Sequence, residues 1–122
     1  MSLEIAIRRV ENVAVVDLSG RITLGEAAGR LRDTIKDLVA NGSKDILLNL
    51  AGVTYMDSSG LGELVGAFAT VSNRGGKLKL AGLQPRVHEL MHLTKLYSVF
   101  ETFTDEPQAV RSFQAGGAAA RV

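Results

Sequence analysis

Residues Thr54 to Leu64 read TYMDSSGLGEL, a polar and glycine-rich stretch between two apolar segments. The segment before it, from Ile46 to Leu50, is almost continuously apolar, which is typical of a central strand covered on both faces or flanked by parallel neighbours. The segment after it carries apolar residues at the spacing of one helix face, namely Leu61, Leu64, Val65, Phe68 and Val71. The stretch is therefore predicted to be the turn that connects a buried strand to a helix.

The N-terminal part of the chain predicts a hairpin followed by a helix. Two strands rich in Val and Ile, one near the N-terminus and one in NVAVVDLSG, meet at a tight turn formed by Glu11 and Asn12. Thr23 and Glu26 have the spacing of a capping box, so a helix is predicted to begin there. The inner face of this helix is expected to consist of Ala27, Ala28, Leu31, Ile35, Leu38 and Val39.

The C-terminal part predicts two further strands and two further helices. KLKLAG alternates like a strand, Pro85 is placed to open a third helix, and Glu106-Pro107 is placed to open a fourth that reaches Phe113. The inner side of the third helix is predicted at Val87, Leu90, Met91 and Thr94. The last short strand is predicted at Tyr97, Val99, Glu101 and Phe103.

These elements predict an α/β fold in the order β-β-α-β-α-β-α-β-α. Strands that alternate with helices form largely parallel sheets, so only the initial hairpin should be antiparallel and the sheet should be mixed. At 122 residues the chain is about one domain long. We expect that domain to span residues 1–113, and we expect residues 114–122 to form a disordered tail with nothing left to bury.

Charge and composition exclude several classes of function. Fourteen Lys and Arg residues nearly balance thirteen Asp and Glu residues, and no block of like charge would attract nucleic acid or an anionic membrane. The chain has no cysteine, which excludes disulfides, thiolate nucleophiles and Cys-ligated metals. It has no apolar run long enough to span a bilayer and no signal-peptide pattern at its start, so we expect it to remain in the cytoplasm.

The turn between the strand and the second helix carries Asp57, Ser58 and Ser59, which are three side chains able to cap a helix. An ordinary N-cap, worth about 1 kcal/mol, would explain one of them. Because one side chain suffices as the cap, at least one of the two serine hydroxyls should face solvent. It would do so at a helix start, where backbone N–H groups favour an anion. Gly60, Gly62 and Gly66 weaken the helix. Gly62 and Gly66 are predicted to lie on one face and to let another backbone approach closely, either the protein's own sheet or a partner.

Phosphorylation would change this surface sharply. A phosphoryl group on Ser58 would add a charge of about −1.5 to −2 at the helix start, where the backbone N–H groups can accommodate it. Asp57 beside it would add to the negative field. A partner that docks here would then be repelled, so the residues are consistent with a binary switch.

The chain resembles STAS domains, in particular the small single-domain anti-sigma factor antagonists of bacteria. VTYMDSSGLGELVGAF is similar to the phosphorylation segment of that family, and LSGRIT, GGKLKLAGL and MHLTKLYSVFETFTDEPQAV are similar to its flanking segments. The resemblance covers roughly Ile5 to Phe113. It implies a single-domain STAS-like fold with a mixed β-sheet, an N-terminal hairpin and about four helices.

The resemblance also implies a partner-switching function in transcription, as part of a stress response. The unmodified antagonist would bind an anti-sigma factor that is also a serine kinase and so free a sigma factor; phosphorylation would release it, and a serine phosphatase would reset it. By position, Ser58 would be the phosphoacceptor, with Ser59 a second candidate. Asp57, Ser59, Gly60 and Leu61 would form the docking surface, without a cofactor and without catalysis by the chain itself.

One position on this surface departs from the family pattern. The family commonly has Asp where this chain has Thr23, after GR and an apolar residue. Thr23 is expected to keep the capping role and to remove one charge beside the switch. The contacts to the partner are therefore expected to differ from those of the family.

Two other functions remain open from the sequence. His88-Glu89-Leu90-Met91-His92 has the spacing of a zinc hydrolase motif, but a third ligand would have to be a carboxylate such as Glu101, Asp105 or Glu106. We expect both histidines to lie on the solvated side of the third helix. The other alternative is a STAS module that serves as a scaffold subunit and does not switch.

Overall fold

A computed structural model describes the backbone of residues 3–119 and the side chains of residues 3–114. In chain order the elements are β1 (Leu3–Val10), β2 (Val13–Ile22), α1 (Glu26–Ala40), β3 (Asp45–Met56), α2 (Ser58–Asn73), β4 (Lys77–Ala81), α3 (Pro85–Leu93), a short 3₁₀-helix (Leu96–Ser98), β5 (Thr102–Phe103) and α4 (Glu106–Ala119). This order confirms the predicted succession of strands and helices and the α/β class.

The strands form one mixed sheet in the order β1-β2-β3-β4-β5. β1 and β2 are antiparallel, and every later pairing is parallel, as predicted. The hairpin turn consists of Glu11 and Asn12, whose φ angles of 49° and 73° are the left-handed values that a two-residue hairpin loop requires. The N-terminal hairpin is therefore confirmed.

The sheet is covered by helices on both faces. The larger core cluster joins one face to α1, α2 and α3 through residues such as Leu31, Leu64 and Met91. The smaller cluster joins the other face to α4 through Ala109 and Phe113. Burial on both faces explains the apolar run of β3, because alternate residues of that strand point into different clusters. All six residues predicted for the inner face of α1 are buried.

The capping box predicted at Thr23 is wrong. α1 begins at Glu26, and its N-cap position is Gly25, which has a φ of 105° and provides no side-chain cap. Thr23 accepts a hydrogen bond from the Ala28 N–H through its backbone carbonyl, at 3.2 Å. The following N–H, that of Leu24, is bound by a carboxylate from another part of the chain. The sequence pattern predicted a local side-chain cap at this turn. A contact with a residue distant in the sequence stabilises the turn instead.

Three differences lie in the C-terminal half. The last strand is only Thr102–Phe103, because the residues before it form the 3₁₀-helix, which follows a left-handed Lys95 with a φ of 63°. Thr94 is exposed, and its hydroxyl donates to the Leu90 carbonyl at the end of α3. α4 continues past Phe113 to Ala119. The predicted tail at 114–122 falls largely outside the described side chains and stays a prediction.

Gly60 is the glycine that permits a close approach. A Cβ at Gly60 would overlap the carbonyl oxygen of Ile22, at the end of β2, and would lie 2.9 Å from Met56 Cγ. Gly62 and Gly66 face open space, because a Cβ at either position would have nothing within 4 Å of it. Approach by the protein's own sheet at those two positions is therefore wrong, and approach by a partner stays a prediction. The first turn of α2 therefore lies directly against the end of β2 because residue 60 has no side chain.

Gly60→Ala is expected to lower the free energy of unfolding by about 1–3 kcal/mol, because the new methyl group would push α2 away from β2. The matched control is Gly62→Ala in the same helix, which should raise stability by up to about 1 kcal/mol because alanine favours helix. Urea unfolding followed by circular dichroism would measure both. Equal effects of the two substitutions would contradict the packing described for Gly60.

Candidate functional site

The candidate site lies where β2 and β3 end side by side. Ile22 pairs with Met56 at the ends of these parallel strands, and the Asp57 N–H donates to the Ile22 carbonyl at 3.3 Å. α2 begins at the next residue, Ser58. The carboxyl edge of a parallel sheet, where a helix starts, is a common location for ligand-binding and reactive groups.

Asp57 holds two backbone segments together. Its backbone is extended, with φ −99° and ψ −175°, and its Oδ1 accepts a hydrogen bond from the Gly60 N–H at 2.8 Å. Its Oδ2 accepts from the Leu24 N–H at 3.1 Å, in the turn between β2 and α1. These N–H groups, Gly60 first and then Leu24, hold the pKa of the Asp57 carboxyl below its usual value. The side chain is therefore a negatively charged cap at neutral pH.

Ser58 and Ser59 differ in exposure. Ser58 is the first residue of α2 and is exposed, whereas Ser59 is partly buried. Because Asp57 supplies the cap, neither hydroxyl is needed for that purpose. The prediction that a hydroxyl is left facing solvent at the helix start is confirmed, and the freely exposed one belongs to Ser58.

Gly60 and Leu61, which were predicted to shape the docking surface, lie beneath it. Gly60 is buried against Ile22, and Leu61 is 5% exposed within the larger core cluster. They cannot contact a partner in this conformation, because the core packing that anchors α2 occupies them. Thr23 is partly buried in the turn between β2 and α1. The structure thus brings Thr23, Asp57, Ser58 and Ser59 together at one edge.

Leu24 is a surface residue that the sequence reasoning missed. It is 77% exposed, although it is a large apolar side chain, and its N–H is bound to Asp57. An isolated exposed leucine is common, but the backbone of this one is bound to the charged carboxylate of Asp57, the residue directly before the exposed Ser58. One sequence signal could have identified it. Leu24 lies in a short turn outside the apolar stripe of α1, so its side chain cannot reach the core.

The two histidines lie away from this edge, on α3. His88 and His92 are both exposed, while Val87 and Met91 pack inward, so the predicted orientation is confirmed. His92 stacks on Tyr97 with ring centres 5.4 Å apart. Glu101, a proposed third zinc ligand, forms an ion pair with Lys79 at 2.9 Å. Among the described residues no group of three or more potential ligands could hold a metal, so the zinc hydrolase hypothesis has no assembled site.

None of the helices in the described part of the chain is both long and apolar enough to cross a membrane.

Comparison with known proteins identifies relatives along most of the chain. It is 35% identical over 101 residues to the anti-sigma-B factor antagonist of Bacillus subtilis (strain 168), a match that covers 83% of this chain and 91% of that protein. An anti-sigma factor antagonist from Mycobacterium paratuberculosis has a similar structure, with a TM-score of 0.79 at 22% identity and coverage of 91% and 93% of the two chains.

The fold is also similar to that of SpoIIAA from Bacillus, solved in its phosphorylated form. That comparison gives a TM-score of 0.71 at 20% identity and covers 90% of this chain and 99% of SpoIIAA. The family described as the STAS domain matches residues 4–109. Together with the mixed sheet, the N-terminal hairpin and the four helices, this match shows that the chain belongs to the STAS domain family.

Proposed function

We propose that the chain is an anti-sigma factor antagonist whose binding is switched off by phosphorylation of Ser58. The unmodified form binds an anti-sigma factor that is also a serine kinase, and this binding frees a sigma factor. The kinase transfers a phosphoryl group to the Ser58 hydroxyl, and a serine phosphatase removes it. The observation that carries the proposal is the exposed Ser58 at the start of α2, beside a separate carboxylate cap.

A kinase requires a hydroxyl that it can reach. Ser58 is exposed, whereas Ser59 is partly buried, so Ser58 is the better acceptor of the two. Both stand in a first turn that the Asp57 carboxylate fixes through Gly60, so the acceptor is presented from a defined helix start and not from a loose loop. Accessibility and fixed position both favour Ser58.

The fold can carry the added charge. A phosphate at the N-terminal end of a helix is favoured by the helix dipole and by backbone N–H groups. The cap of α2 is the Asp57 side chain, so modification of Ser58 leaves the hydrogen bonds to Gly60 and Leu24 in place. SpoIIAA, a protein of similar fold, has been solved in a phosphorylated form, which supports a modification that the fold accommodates.

The surface around Ser58 explains why phosphorylation would end binding. Leu24 offers an apolar contact that a partner can desolvate, next to the charged Asp57. A phosphate with a charge of about −1.5 to −2 in this place would retain its hydration water and so oppose desolvation of Leu24 by a partner. It would also repel acidic groups of the partner. The relative from Bacillus subtilis is an anti-sigma-B factor antagonist, which supports an anti-sigma factor as the partner class.

Ser58→Ala is expected to bind the cognate anti-sigma factor kinase as tightly as the wild-type chain and to remain bound in the presence of ATP. Ser58→Asp should bind at least about tenfold more weakly, because it places a negative charge at the contact. Titration calorimetry would give both affinities, and mass spectrometry after incubation with ATP would locate the phosphate. Ser59→Ala is the matched control and should still be phosphorylated and released.

A phosphate on Ser59, or none on either serine with the active kinase bound, would overturn the proposed switch. The second result would favour the scaffold alternative, in which a STAS subunit binds without being modified.

Asp57→Ala is expected to lower the urea midpoint at neutral pH, because two backbone N–H groups lose their acceptor. The folded-state pKa of Asp57 is lowered, so its stabilisation is fully present above the unfolded pKa of about 4 and is lost as the pH falls through the folded value. The difference between variant and wild type should therefore shrink in acid. Asp33→Ala, which removes an exposed carboxylate from α1, is the control.

Urea unfolding at several pH values between neutral and strongly acidic would measure this difference. A deficit for Asp57→Ala that stays constant over the whole range would show that the charge of Asp57 does not hold the two turns.

A further inference from the structure

Two arginines share one tyrosine ring near the end of β3. The Arg21 guanidinium carbon lies 4.6 Å from the centre of the Tyr55 ring, and that of Arg86 lies 5.9 Å from the same centre. Both arginines are exposed, and Tyr55 is partly buried. We call Arg21, Tyr55 and Arg86 the arginine pair site. It concentrates two positive charges on a small area of a chain whose net charge is only +1.

The described part of the fold does not neutralise these two charges. Arg8 is paired with Asp17 and Glu106, and Arg32 is paired with Glu63. The ion pairs among the described residues include neither Arg21 nor Arg86. Arg86 also lies in the first turn of α3, which has no acidic residue and where a positive charge is unfavourable. The two charges repel each other, and an external anion would relieve that repulsion.

The arginine pair site adjoins the Ser58 surface. Arg21 and Tyr55 are paired across β2 and β3, directly before Ile22 and Met56, which pair at the ends of the same strands. Tyr55 precedes Ser58 by three residues, so their Cα atoms are at most about 11 Å apart. The site and Ser58 thus lie at the same end of the sheet, so a partner that covers Ser58 and Leu24 and continues around this end would also reach the arginines.

We propose that the arginine pair site binds an acidic segment of the anti-sigma factor kinase, which rests on the function proposed above. A guanidinium stacked on an aromatic ring is held in orientation and keeps its N–H edge free for a carboxylate. Two such groups on one ring match two nearby carboxylates, each through charge-assisted hydrogen bonds. The partner is thus recognised by an apolar contact at Leu24 and by carboxylates at Arg21 and Arg86.

This arrangement adds a second reason for phosphorylation to release the partner. The phosphate would add about −1.5 to −2 charges three residues after Tyr55, the ring on which the two positively charged arginines lie. The local field that attracts an acidic segment would then be weakened, to an extent that salt screening limits. Phosphorylation therefore weakens the attraction at the arginine pair site in addition to blocking the contact at Ser58.

The first test compares Arg21→Gln/Arg86→Gln with the wild-type chain in binding to the purified cognate kinase. The double variant should lose about tenfold or more in association rate at low salt, and the loss should fade in concentrated salt. Arg74→Gln, an exposed arginine at the far end of α2, is the matched control and should change the rate less than about twofold. A double variant that associates like the control would overturn the proposal.

The second test does not depend on the kinase or on Ser58. Hexaglutamate peptide, with hexaglutamine as its uncharged control, is titrated into the wild-type chain and followed by NMR at the arginine Nε and tyrosine ring signals. The changes should concentrate at Arg21, Tyr55 and Arg86 and should be absent with hexaglutamine. Changes spread evenly over exposed basic residues, or tighter binding of inorganic phosphate than of hexaglutamate, would overturn the assignment to carboxylates.

The two tests distinguish a failure of the arginine pair site from a failure of the proposed function. Failure of all variants and of the wild-type chain to bind the kinase would contradict the proposed function alone, and the peptide titration would still decide whether the arginine pair site takes carboxylates.

Discussion

The contact between the Asp57 carboxylate and two backbone N–H groups sets the geometry of the whole site. One oxygen accepts from Gly60 in the first turn of α2, and the other accepts from Leu24 in the turn before α1. Gly60 must lack a side chain for this turn to lie against Ile22. The ends of β2 and β3, the start of α2 and the exposed Leu24 are thus fixed relative to one another by one carboxylate and one glycine.

In the proposed switch, this arrangement assigns stability and signalling to different residues. Asp57 and Gly60 stabilise the helix start, and Ser58 stands beside them exposed and free of any capping role. A charge added at Ser58 therefore alters the surface while the hydrogen bonds that hold α2 remain. If the serine itself were the cap, its modification would disturb the helix, and binding would be controlled through partial unfolding. In the function proposed here, control is therefore through surface charge.

Local sequence patterns predicted the fold well because its elements depend on local periodicity. The inner face of α1, the hairpin turn at Glu11 and Asn12, and the start of α3 at Pro85 all follow from spacing and backbone preference. Exposure of a hydroxyl at the start of α2 followed from a count of capping side chains. These features need no knowledge of distant contacts.

The features that the sequence did not reveal depend on contacts between distant residues. Asp57 binds Leu24 across 33 positions, which replaces the local cap expected at Thr23 and holds an apolar side chain in solvent. The burial of Gly60 depends on where β2 ends, which no pattern around residue 60 records. The grouping of Arg21 and Arg86 on Tyr55 likewise requires the sheet register and the position of α3.

The most direct test of the account is a comparison of amide NMR spectra of the unmodified chain and of the chain phosphorylated by its kinase. We predict one phosphate on Ser58, with shift changes confined to the Leu24 turn, the start of α2 and the neighbouring strand ends, and with the sheet core unchanged. Changes throughout the core residues of β3 and α4 would contradict it, because they would mean that the modification acts by altering the fold.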